Sequence, residues 1–210
     1  MKIESLTQFE NKKDRIEALF EDGTSILVGV AQIADFGLYS GRELSDDEYA
    51  QLRGETKLSS SKARAMRILG SRNFSSGEME RRLVSKGESQ DTARKTVQWL
   101  EDIGAVNDAE YAAAITQSYC AKGYGLARIK DELYRRGIPR ELWDDALSGL
   151  DNADDSAVYS FLEKKLGGSR DRSDIRRATN ALCARGFSYE QARSVVGRYL
   201  ESIEENESLN

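Results

Sequence analysis

Histidine is absent from this 210-residue chain. Its absence excludes Ser-His-Asp and Cys-His catalysis, histidine zinc ligation and an imidazole switch near neutral pH. Cysteine occurs only as Cys120 and Cys183, far apart and without a CxxC spacing. That rules out a disulfide framework or a cysteine-rich metal site and points to a reducing compartment. Proline occurs once, at Pro139. No run approaches the roughly 18 apolar residues of a membrane span. The opening Met1-Lys2-Ile3-Glu4-Ser5 lacks the charged-then-apolar pattern of a signal peptide. A soluble cytoplasmic protein with no membrane association is expected. Its 39% hydrophobic content suffices for one or two domains with a sizeable core.

The net charge of −5 taken alone argues against a nucleic-acid binder, but the charge is unevenly spread. Residues 1–57 are net −5, residues 58–108 net +2, residues 109–154 net −2, residues 155–200 net +4 and residues 201–210 net −4. A basic block near the C-terminus thus lies between acidic ends, which suggests a charged partner.

The first 57 residues read as a small β-meander followed by one short helix. Arg15–Phe20 and Ser25–Val30 flank Glu21-Asp22-Gly23-Thr24, and Asp-Gly between apolar runs signals a hairpin because the turn must tolerate positive φ. Residues 3–8 supply a third strand. Ser45-Asp46-Asp47-Glu48 has the capping-box spacing that opens a helix.

From Ser59 onward the pattern is helical and repeats. Leu83-Val-Ser-Lys86-Gly87, Leu133-Tyr-Arg-Arg136-Gly137 and Leu182-Cys-Ala-Arg185-Gly186 share a leucine, two residues, a base and a glycine. Each base-Gly pair fits a helix end, the cation facing the negative pole of the dipole and glycine taking the left-handed position beyond it. Pro139 suits a first helical position, and Ser75-x-x-Glu78 and Ser188-x-x-Gln191 have capping-box spacing. The last helix of each unit carries an apolar stripe: Val97, Leu100 and Ile103; Trp143, Leu147 and Leu150; Val196, Tyr199, Leu200 and Ile203. The expected fold is mainly α: a tandem array of three three-helix repeats at 58–108, 109–153 and 154–202, preceded by the β-meander domain at 1–57 and followed by an acidic tail at 203–210.

Ala65-Met-Arg-Ile-Leu69, with Phe74-Ser-Ser-Gly-Glu-Met-Glu-Arg-Arg-Leu-Val-Ser-Lys-Gly87, resembles the first repeat of the RecX family of recombination regulators. Trp99-Leu-Glu-Asp-Ile-Gly-Ala-Val-Asn-Asp108-Ala-Glu-Tyr111 is similar to that family's junction into its second repeat, with Asn107 where an acid is usual. Gly123-Tyr-Gly-Leu-Ala-Arg-Ile-Lys-Asp-Glu-Leu-Tyr-Arg-Arg-Gly-Ile138 resembles its most recognisable stretch. The resemblance covers about residues 60–200, loosely in the third repeat. It implies a regulator without catalytic activity or cofactor. The implied partner is a RecA-type recombinase filament on single-stranded DNA, whose activity such proteins modulate, usually by inhibition. Weak direct DNA contact and a monomeric state are further expectations.

The basic rows are the feature that could carry binding. In repeat one, Arg81 and Lys86 have no acid at i−4, whereas Glu78→Arg82 and Asp91→Lys95 are favourable pairs. In repeat two, Asp131→Arg135 and Glu132→Arg136 read as a solvated, ion-paired face, with Arg128 a further candidate. In repeat three, Arg170, Arg172, Arg176 and Arg177 crowd a helix start, against the dipole, and Arg172 and Arg176 are a like-charge i,i+4 pair. Phosphate or a partner carboxylate would relieve that conflict; tolerated surface charge, offset by Asp171 and Asp174, is the alternative. Arg185 completes the candidates. The pairs Asp46-Asp47 and Asp144-Asp145 read as helix-start charges rather than metal ligands. Tyr111, Tyr119, Tyr124, Tyr134 and Tyr199 read as packing residues rather than base-stacking platforms. A direct DNA-binding protein is the rival reading, opposed by the acidic net charge and the lack of a basic recognition helix in repeat two.

Overall fold

The hairpin forms at the expected turn. Asp22 Oδ1 accepts the Thr24 backbone N–H at 3.0 Å and its hydroxyl at 2.7 Å, and Gly23 sits at φ +79°. The computed structural model describes residues 1–8, 15–148, 150 and 155–208. Strands β1 (Ile3–Gln8), β2 (Arg15–Phe20) and β3 (Ser25–Gly29) form an antiparallel sheet in the order β1-β2-β3. Arg15 faces Gly29 across the ladder, and Ala18 faces Ile26. The sheet buries Ile3, Ala18, Phe20 and Val28 against Leu38, Leu44 and Leu52.

A short helix, α1 (Val30–Asp35), follows β3 directly, an element the sequence pattern did not indicate. Ser45 then opens α2 (Asp46–Leu69) with both capping-box bonds in place, its hydroxyl accepting from the Glu48 N–H at 3.1 Å. The helix expected to be short instead runs 24 residues, because no proline or C-capping glycine interrupts it before Gly70. The expected boundary at 57/58 therefore falls inside one helix. Leu52 of α2 belongs to the sheet core, and Ser61, further along, accepts a 2.9 Å hydrogen bond from Thr96.

The next two helices are α3 (Ser76–Ser85) and α4 (Gln90–Asp102). Since α4 ends at Asp102, Ile103 leaves the apolar stripe and is 50% exposed. Helices α5 (Asp108–Cys120) and α6 (Leu126–Arg136) follow. Pro139 caps a 3-10 turn over Arg140–Leu142 rather than starting an α-helix, and α7 (Trp143–Leu147) is one turn long. Leu147 and Leu150 nevertheless pack with Trp143 on Ile129, Leu133 and Ile138. The expected boundary at 153/154 lies outside the described residues. Helices α8 (Ser156–Leu166), α9 (Arg172–Ala184) and α10 (Tyr189–Ser208) complete the chain, around a core that includes Val158, Leu162, Leu182 and Val196. Helix α10 continues through residues 203–208, where an acidic tail was expected. The chain divides into two units, Met1–Arg72 with Met79–Ala105, and Asn73–Glu78 with Val106–Asn210. No helix among the described residues is long and apolar enough to cross a membrane.

Candidate partner interface

The three base-Gly signals do end helices or lie just beyond them, with Gly87, Gly137 and Gly186 at φ +91°, +70° and +96°. Two of these ends have a second role within the second unit. The Gly125 N–H donates to the Arg185 carbonyl at 2.9 Å, and the Ala127 N–H donates to the Gly186 carbonyl at 3.1 Å. Carbonyls at the end of α9 thus satisfy N–H groups at the start of α6, positive pole to negative pole. One repeat earlier the same relation recurs: the Ser75 hydroxyl, which caps α3 by accepting the Glu78 N–H at 3.0 Å, donates to the Arg136 carbonyl at the end of α6. Beside it, Asp108 accepts the Ser76 N–H at 2.8 Å and the Ser76 hydroxyl at 2.5 Å.

The bases at those ends are held by the chain itself. Arg136 Nε donates to Glu132 at 2.8 Å, and its Nη1 reaches the Tyr111 hydroxyl at 3.0 Å and Glu78 at 3.4 Å. Arg135 donates to Glu132, at i−3, at 2.9 Å through Nε, and so does not form the expected pair with Asp131. Asp131 sits beside the buried Glu132 on α6 but outside its cluster. Glu132 is only 5% exposed. Burial opposes its charge, but hydrogen bonds from Arg136, Arg135 and Tyr119 win, holding its carboxyl below the usual carboxylate range. Burial chiefly, with Glu132 nearby, pushes the Tyr119 phenol up. Arg185 donates to the carbonyls of Lys122 at 2.8 Å and Gly123 at 3.3 Å, and its guanidinium lies 4.0 Å from the Phe161 ring centre and 5.0 Å from that of Tyr124. Both arginines are therefore occupied at inter-repeat contacts. The signal they gave in sequence, a base before glycine, reports a local cap and not this long-range use.

The remaining candidates separate by partner. Arg170 pairs with Glu204, and Arg177 pairs with Asp174, which also accepts from Ser169 at 2.6 Å. These bonds, from Ser169 first and Arg177 next, lower the Asp174 pKa. The crowded helix start is thus half neutralised within the chain. Arg172 and Arg176 are exposed and have no carboxylate partner among the described residues. They lie one turn apart on α9, exposed along the border of the face that buries Ala178, Thr179 and Leu182. Arg81 is exposed on α3, Lys86 lies just beyond that helix, and Arg128 is in the first turn of α6, also exposed. The expected Glu78→Arg82 pair gives way to the Glu78–Arg136 contact, while Lys95 meets Asp91 at 2.8 Å as expected.

Tyr134 departs from expectation. It is 70% exposed, directed away from the Ile129–Leu133 face of α6. The helical period of α6 alone would have placed it there. Tyr199, by contrast, is buried and donates to Glu163; burial first, then that carboxylate, pushes its phenol up to about 12. Asn107, at the position where an acid was expected, caps α5 by accepting the Glu110 N–H at 3.2 Å, a role for which Asn and Asp are nearly equivalent. The second unit also contains a groove of about 500 Å³, lined by Cys120, Leu126, Val158 and Phe187 and by the Asp155–Arg198 pair, 2.6 Å apart.

Comparison with known proteins gives a consistent set of similarities. Residues 107–147 match the family model described as RecX, second three-helix domain. The chain is 29% identical over 139 residues to the regulatory protein RecX of Chromohalobacter salexigens, covering 66% of this chain and 91% of that protein. It is 23% identical over 203 residues to the regulatory protein RecX of Clostridioides difficile, covering 94% and 95%. A crystal structure of regulatory protein RecX superposes with a TM-score of 0.74 at 17% identity, covering 96% of this chain and 98% of that one. The crystal structure of RecX from Lactobacillus salivarius superposes with a TM-score of 0.62 at 23% identity, covering 69% and 97%. The two structures share the fold.

Proposed function

The chain belongs to the RecX family of regulatory proteins, and from that premise we propose that it binds a RecA-type recombinase filament on single-stranded DNA and inhibits its recombination activity, thereby regulating DNA repair. The observation that carries a binding role is the exposed border of α9, where Arg172 and Arg176 are exposed one turn apart with no carboxylate partner among the described residues. Two like charges at that spacing cost a few tenths of a kcal/mol, about 0.2–0.5, and a partner carboxylate or phosphate reverses the sign of that cost.

The helix-end contacts support the reading in a second way. Within the second unit, carbonyls of α9 seated on the start of α6 give the surfaces of those two repeats a fixed spacing. Linked weak contacts on a repeating filament raise affinity without a deep pocket. The protein acts as a non-catalytic monomer in this reading.

Co-sedimentation tests it. The chain should pellet with recombinase filaments assembled on single-stranded DNA with a non-hydrolysable nucleotide, and should slow strand exchange. Pelleting no better than with naked single-stranded DNA would overturn recombinase recognition and leave direct DNA binding.

A further inference from the structure

We propose that a pocket in the first unit, formed by Arg15, Arg64 and Arg67, binds a phosphate group. The inference does not depend on recombinase binding, because all three arginines lie outside the face used in that argument.

The pocket has a volume of about 390 Å³ and is lined by Arg15 of β2, Leu27 of β3, and Ser60, Ala63, Arg64 and Arg67 of α2. The α2 residues fall at the three- and four-residue spacing that places them on one helix face. Arg15, at the start of β2, brings a third guanidinium to the same space. Its Nη1 is buried and has no hydrogen-bond partner among the described residues. Buried guanidinium nitrogens are ordinarily paired, because desolvating a charged donor without an acceptor is unfavourable.

The described residues supply few negative groups here. Arg64 donates to the Lys86 carbonyl at 2.8 Å and meets Glu88 at 3.3 Å. Arg67 turns its Nε to the Ala63 carbonyl at 3.3 Å, a bond that leaves its charge uncompensated. Glu17, two residues from Arg15 along β2, forms no ion pair among the described residues and does not line the pocket. Among the described residues, the three guanidinium groups therefore share one carboxylate, Glu88, which engages only Arg64. The Ser60 hydroxyl adds another donor to the lining.

That donor set selects the ligand. A carboxylate offers two oxygens in one plane, suited to a single guanidinium fork. A phosphate offers at least two charged oxygens in a tetrahedral arrangement and can accept from several arginines at once, including the orphaned Nη1 of Arg15. The volume exceeds that of a phosphate ion, so a phosphodiester with its flanking sugars fits as well as the free ion. The two sources share this chemistry, and the test distinguishes them.

The experiment uses the full chain and no recombinase. Thermal unfolding is followed in phosphate and in chloride at matched ionic strength, beside fluorescence anisotropy with a labelled oligothymidylate across a salt series. The parent should melt higher in phosphate, and the double variant Arg15→Ala/Arg67→Ala should lose that increment. If the phosphate belongs to a nucleic-acid strand, the variant should also bind the oligonucleotide at least tenfold more weakly. The slope of log affinity against log salt should flatten by about 0.7, the value for one lost single-strand phosphate contact. Loss of the phosphate increment with unchanged oligonucleotide binding assigns the pocket to a free phosphate or phosphomonoester. The single variant Arg67→Glu, at an exposed helix position, provides the same readouts if the double variant folds poorly. Equal melting of the parent in phosphate and chloride, with parent and variants binding the oligonucleotide alike, would overturn the proposal.

Discussion

The backbone N–H of Gly125 donates to the carbonyl of Arg185 at 2.9 Å, joining the start of one repeat's middle helix to the end of the next repeat's. The approach leaves no room for a side chain on either strand of backbone. A Cβ on Gly125 would stand 2.5 Å from the carbonyl carbon of Gly186, and one on Gly186 would collide with the backbone nitrogen of Arg128 and lie 2.7 Å from its Cβ. Gly87 has nearly the same φ, +91° against +96°, yet a Cβ there meets nothing within 4 Å. Gly87→Ala should therefore cost only left-handed strain, about 1–2 kcal/mol. Gly186→Ala should cost that strain plus a backbone collision, roughly 3 kcal/mol or more. Denaturant unfolding of the two variants measures the difference; equal losses would mean that the inter-repeat contact adds nothing.

Glu132 sets the acid limit at the other end of α6, where it holds Arg136 against Tyr111 and Glu78. Its carboxyl lies below the ordinary value of 4.5, so its share of stability is present above that pH and drains away as pH falls through the folded-state value. Glu132→Gln should lower stability at pH 7 by about 2–3 kcal/mol, because Arg136 loses a charged acceptor at a half-buried site. It should also flatten the acid arm of the stability curve. Asp174, Glu48 and Asp22 are shifted the same way and keep part of that arm. A variant as acid-sensitive as the parent below pH 4.5 would show that Glu132 does not carry it.

Reversing the free face of α9 separates binding from folding. Arg172→Glu/Arg176→Glu should leave the melting temperature unchanged or slightly higher, since carboxylates suit the N-terminal half of a helix. Filament affinity should fall, and its decline with salt should become shallower. Arg135→Glu/Arg136→Glu should show the reverse balance, because it places new carboxylates beside Glu132 and Glu78. Filament affinity measured at several salt concentrations, beside thermal melts, tests both. Equal low-salt affinity for the α9 variant and the parent would remove that face from the interface.

Arg185→Ala should destabilise the second unit by about 2 kcal/mol, through two lost carbonyl bonds and its stacking on Phe161 and Tyr124. Arg128→Ala, at an exposed position one turn into α6, should change stability by less than about 0.5 kcal/mol. Comparable losses for both in urea unfolding would contradict the division between clamping and free arginines.

Features decided by neighbouring residues were legible in the sequence. The Asp22-Gly23 turn, the Ser45 cap and the Ser188–Gln191 box, with both its bonds at 3.0 and 3.1 Å, stand where their spacing put them. Features decided across the chain were not. The length of α2 is permitted locally, but nothing near it in sequence reveals that it packs against both the sheet core and α4. The base of each base-Gly pair satisfies the dipole rule, but nothing near Arg136 in sequence reveals Tyr111 or Glu78, and nothing near Arg185 reveals Phe161. Nothing near Arg170 in sequence reveals Glu204, which comes from another helix. Arg15, which begins a strand of otherwise ordinary pattern, gave no sign that it would meet two arginines of α2.

Helix α2 spans the point where the sheet-bearing segment was expected to end, with Leu52 in the sheet core and Ser61 bonded to Thr96 of α4. A rod without a joint cannot serve as a tether. Loosening the sheet would strip the apolar cover from the first half of α2, and the loss would propagate along an unbroken hydrogen-bond ladder to α4. Proteolysis within α2 would thus sever a folding unit, and the sheet could not be shed as a detachable regulator while repeat one stayed intact. It is the end-piece against which that repeat folds.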